Sequence, residues 1–412
     1  YCFSYLQNCI ILFEIKLDSL DKLRKNMKIK IKLKLSELLY FSAFFIWLFF
    51  NFIAQTNLIH KYPEIYRLRI IAMIVSILIL VVKLVLEKHT KGFLLFYFLA
   101  LILAIIIGIS THKLFDGVTI ISTILLIVSV HKMNFRRILI FWSISIFLFM
   151  LFVFVFLKLG MLENTLRLQL GGRLRYSQGY QYVSLGANYL FHLTLVYLYL
   201  RKSEIKFLEM FILAAINYYF YVHTDTKSAF FLSVVALILV FLFKNRVINR
   251  KILIITGEIV LTAGMLIPIF LTYLYNPNSS FFQTLNTALT GRLSLGNKTL
   301  SLYGVDIFGQ RIDWELQQRA TSVFDNYLYV DSSFVNILLH YGIVLLVLIW
   351  LSYYLLIKAG YFNTIEMLIF IVLIIHSMFD PQFFELMYNP LLLLIGVSWS
   401  PDRYKYKESS ID

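Results

Sequence analysis

The sequence predicts an all-α polytopic membrane protein with about twelve transmembrane helices and two large extracellular loops. Its 412 residues are 60% hydrophobic and 17% aromatic, and the mean hydropathy is +0.77, which is too apolar for a soluble domain. Apolar runs of about 18 to 22 residues, the length that crosses the core of a bilayer, recur along the chain. The alternating segments typical of a membrane β-barrel are absent from the sequence.

Twelve apolar stretches have the length and composition of membrane-spanning helices. They are predicted at residues 36–55, 67–86, 92–110, 114–131, 138–157, 182–200, 205–222, 228–243, 252–275, 333–357, 364–379 and 383–399.

Residues 27–412 are expected to form one transmembrane helical domain. Met27 opens the stretch "MKIKIKLKLSELLYFSAFF", in which a basic flank precedes an apolar span, as at a natural start. Residues 1–26 carry no such pattern, and we expect them to be a non-native or disordered leader. They contain both cysteines, Cys2 and Cys9, so no disulfide framework is predicted for the rest of the chain.

The distribution of basic residues predicts the orientation. With the N-terminus inside, the predicted cytoplasmic segments from Met27 onward hold 20 lysines and arginines, and the short external loops hold 5. Short loops rich in lysine and arginine stay on the cytoplasmic side, so both termini are predicted to be cytoplasmic. The net charge of +15 therefore indicates membrane topology, and we expect no nucleic-acid partner.

Two long segments, 158–181 and 276–331, are the predicted extracellular loops. They contain 6 arginines and 2 lysines, whereas the rest of the chain has 9 arginines and 21 lysines. Guanidinium presents a planar fork of donors that binds phosphate or carboxylate oxygens in pairs. The preference for arginine indicates an anion-binding site, and the alternative is that these side chains contact lipid headgroups at the interface.

The stretch "TGRLSLGNKTLSLYGVDIFGQR", residues 290–311, is too polar to span a membrane and is interpreted as a loop. Before it, apolar residues at helical spacing from Phe281 to Leu289 predict a surface helix. Gly291 and Gly296 flank Arg292, where backbone can approach a ligand closely. Short apolar runs after Arg311 indicate a hairpin. Asp331 precedes the next span, where an N-cap and a catalytic role are both open.

Ionisable residues inside predicted spans are rare and are candidate site residues by default. For His340 we expect a hydrogen bond within the bundle, and no metal-ligand spacing, nucleotide-binding loop or nucleophile elbow occurs, so neither a metal site nor a cofactor is predicted. The ionisable residues are Lys83, Asp116, His192, Glu209, Glu258, His340 and His376.

This layout resembles the Wzy-type polymerases, which join lipid-linked oligosaccharide repeat units into O-antigen, capsule or exopolysaccharide chains. "LTGRLSLGNKTLSLYGVDIFGQ" and "VDSSFVNILLHYG" are similar to the Gram-positive branch, and "HSMFDPQFFELMYNPLLLL", with Asn389 and Pro390 opening the last helix, fits as well. "TDTKSAFF" resembles a Thr and Ser–Arg signature, with lysine in place of the arginine. An arginine followed by glycine after ten residues is met by Arg175 and Gly186 but is broken after Arg292.

The resemblance implies a nucleotide-sugar-independent glycosyltransferase in a bacterial cytoplasmic membrane. Its substrate would be a glycan on undecaprenyl pyrophosphate, and its other partners would be membrane lipids, a flippase and a chain-length regulator. A diphosphate leaving group needs cations where its charge develops, and an acceptor hydroxyl needs a base. The candidate catalytic residues are Arg292 and Asp331, and the candidate substrate-binding residues are Arg173, Arg175, Arg292, Arg311 and Tyr303. Other candidate bases are Asp306, Asp313 and Asp325, and other candidate sugar-stacking residues are Trp314 and Tyr327.

Two other functions share parts of this pattern. A flippase of lipid-linked sugars would span the membrane as often, but internal repeats and broken helices are typical of transporters, and the sequence lacks a clear repeat. A ligase that attaches finished glycan to another acceptor shares both architecture and chemistry, and the sequence does not separate it from a polymerase.

Overall fold

Helices form almost all of the regular structure in the computed structural model, which describes residues 34–169, 173–314 and 328–398. The chain divides into two compact units, Tyr1–Leu38 and Leu39–Asp412, and the predicted leader 1–26 lies outside the described residues. The α-helices are α1 (Leu35–Ile53), α2 (Leu58–Lys61), α3 (Glu64–Leu86), α4 (Lys91–Ser110), α5 (Leu114–Val128), α6 (Phe135–Lys158), α7 (Leu185–Arg201), α8 (Phe207–Thr224), α9 (Lys227–Phe243), α10 (Arg250–Tyr273), α11 (Ser280–Ala288), α12 (Arg292–Tyr303), α13 (Ser333–Lys358), α14 (Thr364–Ser377) and α15 (Leu394–Ser398).

Among the described residues, six helices are long and apolar enough to cross a membrane: α1, α3, α4, α6, α10 and α13. Three shorter apolar helices, α5, α9 and α14, accompany them. On α4 the exposed side chains are themselves apolar and recur at helical spacing, as Leu95, Phe98, Ile102 and Ile109 illustrate. A large apolar face directed outward is the pattern expected of a helix surrounded by lipid, so this is a helical membrane-embedded protein.

Asparagine and threonine residues begin several of these helices by side-chain capping. The side-chain oxygens of Thr90, Asn134 and Asn249 accept hydrogen bonds from backbone N–H groups in the first turns of α4, α6 and α10. Asn363 and Glu366 form a reciprocal capping box at the start of α14, with distances of 3.0 and 2.9 Å. These contacts satisfy N–H groups that have no partner within the helix, which fixes where each helix begins.

The prediction of a continuous helix over residues 383–399 is wrong. A 3₁₀ turn at Pro381–Phe384, a second at Pro390–Leu393 and the short α15 occupy the described part of this region. Each proline disfavours the helical conformation at the residue before it, and Asp380 (φ −134°, ψ 142°) and Asn389 (φ −111°, ψ 86°) are indeed non-helical, so a new turn begins at each proline. Asn389 donates a hydrogen bond to the Phe383 carbonyl over 2.8 Å and holds the segment folded back on itself. A helix occupies each of the other eleven predicted ranges.

The first polar segment, residues 158–181, contains an antiparallel hairpin. Strands β1 (Leu166–Gln169) and β2 (Arg173–Tyr176) pair in a register that places Arg167 opposite Arg175. Strand-like alternation of apolar and charged residues over "LRLQ" and "RLRY" accounts for the pairing.

The second polar segment, residues 276–331, is largely helical where it is described. A helix, α11, is confirmed where the surface helix was predicted, whereas the stretch interpreted as a loop contains α12. The two helices are separated at Gly291, whose φ of +85° is a left-handed conformation that favours glycine. Gly296 serves helix packing, because a Cβ there would lie 3.0 Å from Thr272 Cγ2 of α10. The hairpin predicted after Arg311 falls mainly on residues outside the described ranges.

The part of the second polar segment that follows α12 packs against an irregular turn within α13. Residues Ile337–Tyr341 form a π-helical turn, and Gln310 N–H donates to the carbonyl of His340 over 3.1 Å. Gly309 and Gly342 both have φ near +90°, and a Cβ on Gly342 would overlap the backbone nitrogen of Gly309. Backbone therefore packs directly on backbone, which explains the glycines at positions 309 and 342.

Candidate functional site

Arg292 is the centre of a charged cluster at the start of α12. Its Nε lies 3.5 Å from Asp331 Oδ1, and its Nη2 lies 3.9 Å from Asp380 Oδ1. The Arg292 side chain is 27% exposed, whereas Asp380 is 7% exposed, so the guanidinium has one side against the protein and the other open. The turn at Gly291 places the arginine at the first position of the helix.

Asp380 is the residue at which the two polar segments meet. Its Oδ2 lies 3.4 Å from His376 Nε2, and Ser228 hydrogen-bonds to its side chain. The charges of Arg292 from the second polar segment and of Arg175 from the first both act on this carboxylate. The tertiary structure thus brings two predicted arginines to one acidic residue.

The backbone around Asp380 is fixed to the beginning of α13. Ser333 Oγ donates to the Asp380 carbonyl over 2.5 Å and accepts from Phe383 N–H over 3.0 Å. Asp331 is only two residues before Ser333, so these bonds hold the backbone next to Asp331 against the backbone of Asp380. Asp331 itself is not the N-cap of the helix, since Ser332 occupies that position, and Asp331 is ion-paired with Arg292 instead.

Arg175 of β2 is buried and attaches the hairpin to the connection between α8 and α9. Its Nε donates to the Thr224 carbonyl over 2.6 Å, and its Nη2 donates to Thr226 Oγ1 over 3.1 Å. Thr226 and Ser228 belong to the "TDTKS" stretch, so this motif contacts Arg175 with one residue and Asp380 with another. Arg175 therefore uses much of its donor fork within the protein.

A cavity of about 190 Å³ opens beside Arg292 and Asp331. Its walls are formed mainly by apolar side chains of α10, α11 and α12, including Leu271, Leu285 and Leu289. A charged pair at the edge of an apolar cavity suits a ligand with an anionic part and an apolar part.

Burial governs the protonation of the two carboxylates. Removal from water raises the pKa of Asp331, Arg292 opposes this shift, and the charge of Asp380 adds to it; the resulting pKa is about 6. Burial also raises the pKa of Asp380, against the opposing effects of Arg292, Ser228 and Arg175. Two acidic groups thus share one guanidinium, and Asp331 is able to exchange a proton near neutral pH.

Of the other predicted substrate-binding residues, Arg311 and Tyr303 contact Asp313 instead of the Arg292 cluster. Arg173 lies in β2, and its side chain is outside the described part of the structure. Arg311 pairs with Asp313, at 2.9 Å, and is half exposed. The Tyr303 hydroxyl accepts a hydrogen bond from Asp313 N–H over 3.2 Å.

The alternative candidates have local partners or are not described. Asp306 accepts a hydrogen bond from Phe308 N–H over 2.9 Å, and the Trp314 ring lies 6.3 Å from that of His340. Asp325 and Tyr327 lie outside the described residues.

Most ionisable residues predicted inside spans have ion-pair partners. Glu209 lies 2.8 Å from Arg201, Lys83 lies 3.2 Å from Glu87, and Glu258 lies 3.3 Å from Lys358. Asp116 faces His340 at 3.9 Å, and the His192 ring lies 5.5 Å from the His376 ring next to Asp380.

Sequence reasoning missed Asp380, although the residue lies within the quoted stretch "HSMFDPQFF". Its signal was an acidic residue four positions after His376 in an otherwise apolar region. No protein-family model, curated protein or solved structure matches this chain.

Proposed function

We propose that this protein polymerises oligosaccharide repeat units carried on undecaprenyl pyrophosphate, at the outer face of a bacterial cytoplasmic membrane. In this proposal eleven helices and the folded segment 381–398 cross the membrane, so that both termini are cytoplasmic and both polar segments are extracellular. The 20-to-5 bias of basic residues supports that orientation.

The observation that carries the proposal is the position of Arg292 at the edge of an apolar cavity. Apolar walls suit the polyprenyl chain of the donor, and the guanidinium suits its diphosphate. The amphipathic α11 contributes Leu285 to the wall, and Leu289 directly after it contributes as well, as expected of a helix that lies at a membrane surface beside a lipid entrance.

The chemistry is a glycosyl transfer without a nucleotide. A sugar hydroxyl of the acceptor unit attacks the anomeric carbon of the donor glycan, the bond from that carbon to the diphosphate oxygen breaks, and the lipid diphosphate leaves. Arg292 stabilises the negative charge that develops on the leaving group. Asp331 accepts the proton of the attacking hydroxyl, for which its pKa of about 6 is suitable at neutral pH.

Asp331 and Asp380 have a second role before substrate binds. They hold the Arg292 guanidinium in one orientation and balance its charge in a partly buried place. Arg175 fixes the hairpin and adds positive charge near Asp380, and the roles of Arg173, Arg311 and Tyr303 in binding remain part of the proposal. A flippase and a chain-length regulator are the expected protein partners.

The proposal is tested with purified protein in liposomes and lipid-linked repeat units extracted from cells that lack this gene. A ladder of longer glycans and released undecaprenyl pyrophosphate are expected without any nucleotide. Arg292→Lys should reduce the ladder, while Arg246→Lys, a change at an exposed arginine in a different connection, should leave it intact.

Deletion of the gene in cells distinguishes a polymerase from a flippase, and the product formed distinguishes a polymerase from a ligase. Loss of a polymerase leaves single repeat units displayed outside, whereas loss of a flippase leaves them inside. Transfer of a finished glycan to a different acceptor, without lengthening, would identify a ligase. Either of these last outcomes overturns the polymerase assignment.

A further inference from the structure

Asp380 presents its two carboxylate oxygens to two different partners. Oδ1 lies 3.9 Å from Arg292 Nη2, and Oδ2 lies 3.4 Å from His376 Nε2. The His376 Nε2 and Asp380 Oδ2 atoms are both buried, and within the described residues neither has a different hydrogen-bond partner. A buried polar atom that is left unpaired is costly, so the contact between these two side chains is the interaction that serves both atoms.

The backbone also joins His376 to Asp380. The Asp380 N–H donates to the His376 carbonyl over 3.0 Å in the turn that follows α14, and the Asp380 carbonyl accepts from Ser333 Oγ at the start of α13. The His376 side chain is 1% exposed, and its ring stacks on Phe191 of α7 with the ring centres 4.0 Å apart. Asp380 is therefore held by α13 and α14 directly and by α7 through His376.

The two carboxylates that contact Arg292 differ in their access to a ligand. Asp331 is 20% exposed and lines the apolar cavity together with Arg292. Asp380 is 7% exposed, and among the described residues that line the cavity neither Asp380 nor His376 is included. Asp331 is thus open to a molecule in the cavity, whereas Asp380 lies on the protein side of the guanidinium.

This difference matters at the moment of glycosyl transfer. When Asp331 accepts the proton of the acceptor hydroxyl, it loses its negative charge, and its attraction for Arg292 weakens. At the same moment negative charge develops on the diphosphate, and the guanidinium must stay directed at it. A displacement of about 1 Å in a catalytic group can cost roughly 100-fold in rate, so a second, immobile partner for Arg292 is needed.

We propose that His376 is a positioning residue of this reaction. Its Nε2–H donates to Asp380, fixes the rotation of that carboxylate, and so keeps Arg292 directed at the diphosphate while Asp331 releases it. The inference rests on the proposed function for the identity of the diphosphate and for the role of Asp331 as base. His376 acts through Asp380 and does not itself touch the reacting atoms.

Two substitutions at position 376 separate the role of the nitrogen from that of the ring. His376→Phe keeps a ring that can stack on Phe191 but loses the donor, whereas His376→Gln keeps an amide N–H near the place of Nε2 but loses the ring. In nanodiscs, His376→Phe should weaken the binding of undecaprenyl pyrophosphate about 10- to 100-fold, and His376→Gln should bind within about threefold of the parent protein. A role in packing alone predicts the reverse order.

A histidine elsewhere in the fold provides the matched control. His131, in the connection between α5 and α6, is also buried and stacks on Phe93 with the ring centres 4.1 Å apart. His131→Phe should bind the lipid like the parent protein. Thermal unfolding of each variant identifies any change that acts through stability alone.

A double-mutant cycle tests whether His376 acts through Asp380. If it does, adding His376→Phe to Asp380→Asn should weaken lipid binding little beyond the effect of Asp380→Asn alone, because the contact is already impaired. Two effects that add in full would overturn the inference.

The positioning role is also overturned when the parent protein binds no undecaprenyl pyrophosphate, when His376→Phe binds it as tightly as the parent, or when His376→Gln is impaired as much as His376→Phe. Failure of the polymerase function is recognised separately, by the absence of chain growth in liposomes with the parent protein, because binding of the lipid diphosphate does not require chain growth.

Discussion

The Arg292 guanidinium lies 3.5 Å from the Asp331 carboxylate, although 38 residues of the chain connect them. The pair joins the start of α12 to the start of α13 at the edge of the apolar cavity. Asp380, at 3.9 Å from the same guanidinium, completes a triad from three separate regions. Lysine would supply the same positive charge, but only the planar fork of arginine can face two carboxylates at once.

Arg292→Lys should reduce polymer formation strongly while the protein still inserts and folds. Lysine keeps the positive charge but cannot contact two carboxylates and a diphosphate in one plane. Loss of one donor at a developing negative charge reduces rates by roughly 100- to 1000-fold. Glycan length and initial rate in liposomes measure the effect, with Arg246→Lys as the control. Unchanged chain length in Arg292→Lys would exclude the role of the guanidinium fork.

Because of Asp331, the reaction rate should fall as the pH is lowered, with a midpoint near pH 6; this fall is the acid limb of the pH–rate profile. Burial raises its pKa to about 6, so the carboxylate that accepts the proton predominates at pH 7 and is lost as the pH falls toward 5. Asp331→Asn should lower the rate by roughly 100- to 10,000-fold and abolish this limb. A pH–rate profile of both proteins checks this, and Asp380→Asn shows whether the neighbouring carboxylate contributes. A limb that persists in Asp331→Asn would assign the titration elsewhere.

The raised pKa of Asp331 also affects stability, and here acid has the opposite effect, because it favours the folded protein although it lowers activity. The pKa of Asp331 is higher in the folded protein than in the unfolded chain, so protonation of this group favours folding. The stabilisation is fully present below about pH 4 and is lost as the pH rises through about 6. Activity lost between pH 7 and 5 should therefore not coincide with unfolding caused by this residue, and thermal melts over that range measure it.

Arg175→Lys should lower stability rather than act mainly on catalysis. The arginine is buried and donates to both the Thr224 carbonyl and Thr226 Oγ1, and lysine cannot reproduce both bonds from one nitrogen. Loss of hydrogen bonds from a charged donor destabilises by about 1.5–3 kcal/mol. Arg167→Lys is the matched control, since Arg167 lies opposite Arg175 in the hairpin and is exposed. Equal melting temperatures for the two variants would show that Arg175 does not anchor the hairpin.

The sequence predicted the helices well because apolar length and periodicity depend on local residues alone. Arg175 and Arg292 became candidate site residues because arginine is enriched in the two polar segments, and Asp331 became one because it precedes a predicted span. Asp380 was missed, because its importance arises from contacts with residues 88 and 152 positions earlier in the chain.

The errors have local physical causes. The stretch 383–399 was predicted as a helix from its apolar composition, whereas the non-helical Asn389 and the following Pro390 interrupt it. Residues 290–311 were interpreted as a loop because they are too polar to span a membrane, whereas Gly296 permits α12 to pack closely on α10 at Thr272. Composition did not distinguish a glycine that ends a helix from one that lets two helices meet.

Gly342→Ala should destabilise the docking of the second polar segment on α13. Gly342 has a φ of +89°, and a Cβ there would overlap the backbone of Gly309 and Ile307. The left-handed conformation alone costs about 1–2 kcal/mol for a residue other than glycine, and the overlap with backbone adds to this because backbone cannot rotate away. Gly92→Ala in α4 is the matched control, since nothing lies within 4 Å of a Cβ at that position and alanine favours a helix. Thermal unfolding in detergent should therefore occur at a lower temperature for Gly342→Ala and at an equal or higher temperature for Gly92→Ala. Limited proteolysis between residues 304 and 314 should also become faster only in Gly342→Ala, and protection like that of the parent protein would show that the glycine contact does not hold this segment in place.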